Sequence, residues 1–428
     1  MADASPYAPV KRVYPSGLTL VHERRPHRAS IALGVWLRAG ARDEPEAQAG
    51  MTHFLEHMLF KGTERRNAYQ ISASIEALGG HLDAFTAREH VCYSARALEE
   101  HLPHALDVLA DVIGHSTLPE VELAREKEVV REEIASYEDS PEEKVHDILA
   151  ATLWGADPLG RPILGSEESV NAFTVEGLST FYRGRYRPRN LVVSVAGAFD
   201  PTWLEDAVGK AFGEEGGSPI ELATGAGTAA PAFAYEGRDV TQLHLALARP
   251  GIANDHPSRY RLAVLSAIVG GGMSSRLFQR LREERGLAYS VYTSTESYRD
   301  TGAVTIAMGV QPARAAEALG RLQEELALFC AEGPTDEELD SGKAQIKGSM
   351  LLGEESVSNH MYHLALDELC YGAFVPLDRH LADIAAVTRA DVIESARAWM
   401  GPAGWSIAAV GPKKAEGAVR EAAQALLG

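Results

Sequence analysis

The chain has 428 residues, more than one ordinary hydrophobic core organises, so two domains are expected. Apolar residues make up 45% and charged residues 24%, which excludes a disordered polymer and describes a globular protein. The formal net charge of −19 excludes a nucleic-acid partner, because phosphates would be repelled, and is compatible with attracting basic peptides.

The N-terminal stretch MADASPYAPVKRVYPSG lacks the basic-then-apolar layout of a signal peptide, and no apolar run reaches the roughly 20 residues that span a bilayer. A cytoplasmic location without a membrane span is therefore expected. SIALGVWLRAG (30–40) reads as a strand, QAGMTHFLEHMLF (48–60) as a helix, and VCYSARAL (91–98) as another strand. A long charged helix follows in ELAREKEVVREEIASYEDSPEEK (122–144). The stretch 212–237, rich in Gly, Ala, Pro and Thr, reads as a linker. QLHLALARP (242–250) is expected to begin a second sheet, to which VTIAMGV (304–310) belongs. Cys92, Cys330 and Cys370 are far apart and odd in number, so free thiols are expected.

The two sides of the linker resemble each other. A helix, a loop, a strand ending in Gly197 and a further helix recur with the strand ending in Gly411, an offset of 214. LPEVELAREKEVVREEI and PTDEELDSGKAQIKGSM place Leu123 and Leu339 at an offset of 216. Two matches at nearly one offset imply duplication. The fold expected is α+β, two duplicated sandwich halves, each a mostly antiparallel sheet with helices packed on one face. Its domains run over 1–213, 214–236 (linker) and 237–428.

His53 and His57 lie about 40° apart on a helix, with Glu56 about 60° to the other side of His53. Both imidazoles can meet one ion while Glu56 reaches a water on it, and zinc suits such ligands. A polar patch on a helix fits these three residues equally well, so a third ligand decides. On the long helix, Leu123, Val130, Ile134 and Tyr137 form the core-facing stripe. Glu126 and Glu133, seven apart, lie at its edge, where an unpaired carboxylate is costly. Glu122 satisfies the same geometry, whereas Glu128 and Glu132 point away.

HFLEHMLFKGT, followed 76 residues after His57 by Glu133 in REKEVVREEI, resembles the pitrilysin family of zinc peptidases, the inverzincins of family M16. HLDAFTAREHVCYSA, YEDSPEEKVHD and DPLGRPILG extend the likeness over nearly the whole chain. It is nearest to the short-chain branch that includes the mitochondrial processing peptidase β subunit and its bacterial relatives. The resemblance implies one zinc per chain on His53, His57 and Glu133, Glu56 as catalytic base, and Glu126 orienting a ligand from behind. It implies that extended substrate pairs with the strand carrying Asp83, Ala84 and Phe85, although the family often has Asn where Asp83 stands. The ligand types would also accept manganese or cobalt.

In the second half the region matching HFLEH reads IVGGGMSSRLFQRL, and Glu133 is matched by about Ser349, so no second metal site is expected. Arg282 and Tyr289 in LREERGLAYSVYT resemble the pair through which active relatives hold the scissile carbonyl. An ordinary helix-to-strand junction, with Tyr289 packed in the strand, is the alternative, and Arg285 competes with Arg282. One chain carrying both parts implies a homodimer with composite sites around a chamber. The function implied is a zinc metalloendopeptidase acting on unfolded or targeting-type peptides; the alternative is a non-catalytic structural or partner subunit of a heteromeric complex.

Overall fold

A computed structural model describes residues 8–213 and 216–428. They form two compact units, each gathered from three stretches of chain. The first takes the residues through Ile134, then Pro162–Ala223 and Leu352–Phe374; the second takes Ala135–Arg161, Thr224–Leu351 and Val375–Gly428.

The first unit is built on a six-stranded sheet. Its strands are β1 (Val10–Val13), β2 (Thr19–Arg24), β3 (Ser30–Leu37), β4 (His81–Thr86), β5 (Val91–Leu98) and β6 (Leu191–Gly197), in the order β1-β2-β6-β3-β5-β4. Only β2 and β6 run parallel. SIALGVWL and LVVSVAG are almost continuously apolar because β3 and β6 are central and covered on both faces. One face carries Leu33, Val35, Tyr93 and Val195 into a core with Phe54, Leu55, Leu109 and Val112. Those partners come from helices Met51–Leu59 and Leu102–His115.

The expected helices on one face are present, and the other face is covered as well. There Ala32, Trp36, Cys92 and Val192 pack against Val357, Met361 and Leu364 of helix Val357–Tyr371. That helix lies more than 150 residues beyond β6 in the chain, which is why sequence periodicity did not assign it to this sheet. Polar anchors fix it. His360 Nδ1 lies 3.0 Å from Glu23 Oε2, Arg25 contacts the other Glu23 oxygen at 2.7 Å, and Arg38 donates to Glu368 at 2.9 Å.

The second unit repeats the pattern with β7 (Phe233–Gly237), β8 (Leu243–Pro250), β9 (Ala288–Ser297), β10 (Gly302–Val310) and β11 (Ser406–Gly411), ordered β7-β11-β8-β10-β9. Without β1 the first sheet has the same order, as duplication requires. QLHLALARP is β8 and does not begin this sheet: β7 precedes it as a short edge strand, parallel to β11. Helix Pro141–Trp154 covers one face, laying Val145, Leu149 and Leu153 on Ala246, Ala248, Ala307 and Ala408, whose small side chains admit a close helix. Tyr137, expected in a core stripe, is 43% exposed. All three cysteines are free, and among the described residues no helix is long and apolar enough to cross a membrane.

Burial lowers the affinity of His360 for its proton, but the hydrogen bond and charge of Glu23, with Glu354 beyond it, outweigh burial and the opposing Arg25, so its pKa is raised. A raised histidine pKa contributes stability that is complete below about pH 6.5 and is lost as pH rises through the folded-state value. His360→Gln keeps a donor that does not titrate. Parallel urea titrations should show the wild-type advantage over His360→Gln greatest near pH 6 and fading toward pH 9.

Candidate metal centre

Helix Met51–Leu59 has only nine residues and begins abruptly at Gly50, in the left-handed region at φ 88°. An added Cβ at Gly50 would meet the Leu164 carbonyl oxygen at 2.5 Å, so glycine is required there for space as well as conformation. No N-cap side chain serves the helix. Its first N–H groups are taken by Glu44, whose two carboxylate oxygens accept from Gly50 N at 2.8 Å and Thr52 N at 2.6 Å. Burial pushes the Glu44 carboxyl up to about 7, against the lowering effect of Thr52, the Gly50 N–H and the Arg185 charge.

Phe54, Leu55, Met58 and Leu59 drive this helix into the core, and the same rotation sets His53, Glu56 and His57 on its remaining face. Glu133 meets them from helix Glu120–Asp139. Its Oε2 lies 3.6 Å from His53 Nε2 and 3.8 Å from His57 Nε2. One donor atom from each of the three lies within 4.8 Å of the others, the one such group among the described residues. These separations are too long for hydrogen bonds. They are close to the about 3.3 Å between neighbouring ligands of a tetrahedral ion bound at about 2.0 Å. Burial, and then the neighbouring His57, drive the His53 pKa down to about 3, so this imidazole is neutral and has a lone pair for a metal. The donor set fits zinc.

Glu126, two turns before Glu133, is 4% exposed. Its Oε2 lies 3.3 Å from His57 Nδ1, and its Oε1 accepts from Lys61 Nζ at 2.7 Å. Glu56 is buried, and its Oε2 accepts from the Thr86 hydroxyl at 2.5 Å. Burial raises the Glu56 pKa; Thr86 and His57 lower it, and Glu133 and Asp83 add to the rise. Glu133 is raised by burial, in part offset by His57. Glu122 is instead tied to Arg125 at 2.7 Å, and Glu128 is bound to Arg131 on the exposed side.

Asp83, Ala84 and Phe85 lie on β4, whose only strand partner is β5, so its outer edge is unpaired among the described strands. Asp83 Oδ1 accepts from the Ala84 N–H at 3.0 Å, and the Phe85 ring stands edge-on to Trp36. In the second unit, Arg282 belongs to a π-helical turn, Phe278–Glu283, with its guanidinium 4.6 Å from the Phe278 ring. Tyr289 is the second residue of β9 and is 50% exposed rather than packed; its hydroxyl accepts from Gln311 Nε2 at 2.9 Å.

Residues that sequence reasoning passed over are Glu44, Lys61 and Thr86. Lys61 stood inside HFLEHMLFKGT, four residues after His57, the spacing of one helical turn. Arg42, Asp43 and Glu44 are three consecutive charges, all buried. Charges in a row ordinarily mark a solvated loop, so the sequence signal pointed the other way.

The chain is similar to known proteins over most of its length. Residues 19–167 match the family described as Insulinase (Peptidase family M16), and residues 172–346 match the Peptidase M16 inactive domain. An uncharacterized zinc protease of Streptomyces coelicolor is 40% identical over 95% of this chain and 90% of its own length. The uncharacterized zinc protease YmxG of Bacillus subtilis is 41% identical, covering 87% of this chain and 91% of its own. A crystal structure of a peptidase M16 inactive domain from Pseudomonas fluorescens shares the fold, with a TM-score of 0.87 at 21% identity over 95% of this chain and 98% of that one. The chain belongs to peptidase family M16, in its short-chain branch.

Glu44→Ala would leave two buried helix N–H groups without an acceptor. A loss of about 3 kcal/mol in urea unfolding is expected, at about 1–3 kcal/mol per orphaned group. Glu46→Ala, on an exposed neighbour, should change stability by no more than about 0.5 kcal/mol.

Proposed function

We propose that this chain is a zinc-dependent endopeptidase that hydrolyses unfolded peptides or processes targeting-type peptides. The observation that carries the reading is the convergence of His53, His57 and Glu133 donor atoms within 4.8 Å, with Glu56 on the same helix as the two histidines. A zinc ion held by those three side chains supplies Lewis acidity and a water of lowered pKa.

The chain's own groups do the rest. Glu56 takes the proton of the attacking water and later delivers it to the leaving amine nitrogen. Thr86 occupies Oε2 of Glu56, which leaves Oε1 for the water. Glu126 accepts the Nδ1–H of His57 and so presents the Nε2 lone pair to the metal. The open edge of β4 takes an extended peptide as an added strand through backbone hydrogen bonds, with Asp83, Ala84 and Phe85 beside it. Arg282 and Tyr289 enter by family resemblance, as donors to the carbonyl oxygen on which negative charge develops. The same resemblance supports a homodimer with sites shared between chains.

Purified protein should cleave an unfolded basic peptide, and a chelator should abolish the cleavage. Glu56→Gln should lower kcat by about 10²–10⁴-fold while zinc content, measured by atomic absorption, stays at one per chain. Cleavage by Glu56→Gln equal to the parent would show the base misassigned. No cleavage by folded, zinc-loaded protein across several peptides would favour the non-catalytic structural or partner subunit.

Sharing of sites has its own test. Mixed dimers of Glu56→Gln and Arg282→Ala chains should recover part of the activity that each variant lacks alone. Confirmed mixed dimers with no recovery would mean that each site is completed otherwise.

A further inference from the structure

We infer that Lys61 is a positioning residue for the metal centre, acting on His57 through Glu126. This rests on the reading of His53, His57 and Glu133 as zinc ligands.

The geometry is a relay across two helices. Lys61 follows the end of helix Met51–Leu59 in a tight turn, its N–H bonded to the Met58 carbonyl at 3.1 Å. One turn after His57, its side chain reaches Glu126 on the neighbouring helix, Nζ to Oε1 at 2.7 Å. The other oxygen of that carboxylate, Oε2, lies 3.3 Å from His57 Nδ1. Each Glu126 oxygen thus has one partner, and both partners come from the same short stretch of chain. The carboxylate is 5% exposed and Lys61 28%, so the cation reaches from half-buried surface into a nearly closed pocket.

The physical case turns on what Glu126 would do without Lys61. A buried carboxylate with one oxygen unpartnered is costly, and rotation toward a second donor or toward the metal relieves it. Either movement takes the acceptor away from His57 Nδ1. The imidazole is then free to turn, and its Nε2 no longer holds its direction toward His53 and Glu133. Lys61 prevents this by holding Oε1, leaving Oε2 nothing to do but face His57.

The inference predicts a sign opposite to that of simple electrostatics. Lys61 is a cation near a cation site, so by charge alone its removal should strengthen zinc binding. If Lys61 acts by holding Glu126, removal should weaken it. Losses of outer hydrogen-bond partners typically cost about 10–100-fold in metal affinity, and that range is expected here.

The test is zinc affinity, measured without substrate by competition with a chromophoric chelator, on the full chain. Lys61→Met should bind zinc about 10–100-fold more weakly than the parent. Lys61→Arg, which keeps the charge and a donor, should recover most of the loss. In a Glu126→Gln background, adding Lys61→Met should cost nothing further, because the relay is already broken. Melting of the zinc-free variants by circular dichroism separates lost fold from lost ligand geometry; Lys61→Gln replaces Lys61→Met if the latter does not fold. Folded Lys61→Met that binds zinc as tightly as the parent, or more tightly, overturns the inference. A parent chain that binds no zinc overturns the metal reading beneath it, whatever the variants do. Peptide cleavage enters neither outcome, so failure of the peptidase reading stays distinct.

Discussion

The constraint on which this site depends is the burial of polar groups in an apolar layer. His53, Glu56 and Glu126 are each less than one-tenth exposed, and Phe54, Leu55, Val130 and Ile134 of the same two helices lie in the core. A buried polar group is costly without a partner, and the partners of Glu56 and Glu126 come from other segments of the chain. Thr86 on β4 holds Glu56, and Glu126 joins His57 and Lys61. Glu44, from the loop before the helix, fastens its first turn. The two imidazole Nε2 atoms and the Glu133 carboxylate lack protein partners at hydrogen-bonding distance and converge on one another, while the buried His53 Nδ1 also has no hydrogen-bond partner. That residue of unsatisfied valence defines the candidate centre.

The sheet of the first unit has two edge strands, β1 and β4. Helices cover both faces, so β3 and β6 are fixed. β4 is an edge strand, half-exposed, whose Thr86 reaches the Glu56 carboxylate. An added strand at that edge would therefore lie beside the same element that orients the base. In the proposed function, catalytic geometry and peptide recognition would share one piece of backbone.

The second unit shows what the scaffold does without ligands. Its sheet repeats the strand order, but helix Arg259–Gly270, which falls where the first unit has HFLEH, carries no histidine and runs into Gly271 and Gly272. A Cβ at Gly270 would meet Thr293 at 2.6 Å, and one at Gly342, matched to Glu126, would meet Ile268 at 2.7 Å. At both positions a side chain would run into its neighbour. Among the described residues His53, His57 and Glu133 are the one group that could hold a metal, and the matched region of the second unit has no histidine to offer.

Local sequence determined what depends on spacing along one helix. The i, i+4 histidines, the intervening glutamate and the seven-residue step from Glu126 to Glu133 fall on definite faces because helical geometry is fixed by the backbone. The duplication was legible because it repeats strand-ending glycines and helix patterns at one offset. Helical angle left Glu122 open beside Glu133; in the tertiary structure Glu133 converges with the two histidines and Glu122 is tied to Arg125. It also decided the roles of Glu44, Lys61 and Thr86, whose contacts join segments that no periodicity links. The same holds for helices Pro141–Trp154 and Val357–Tyr371, because an apolar stripe states that a helix must be covered but not by which sheet.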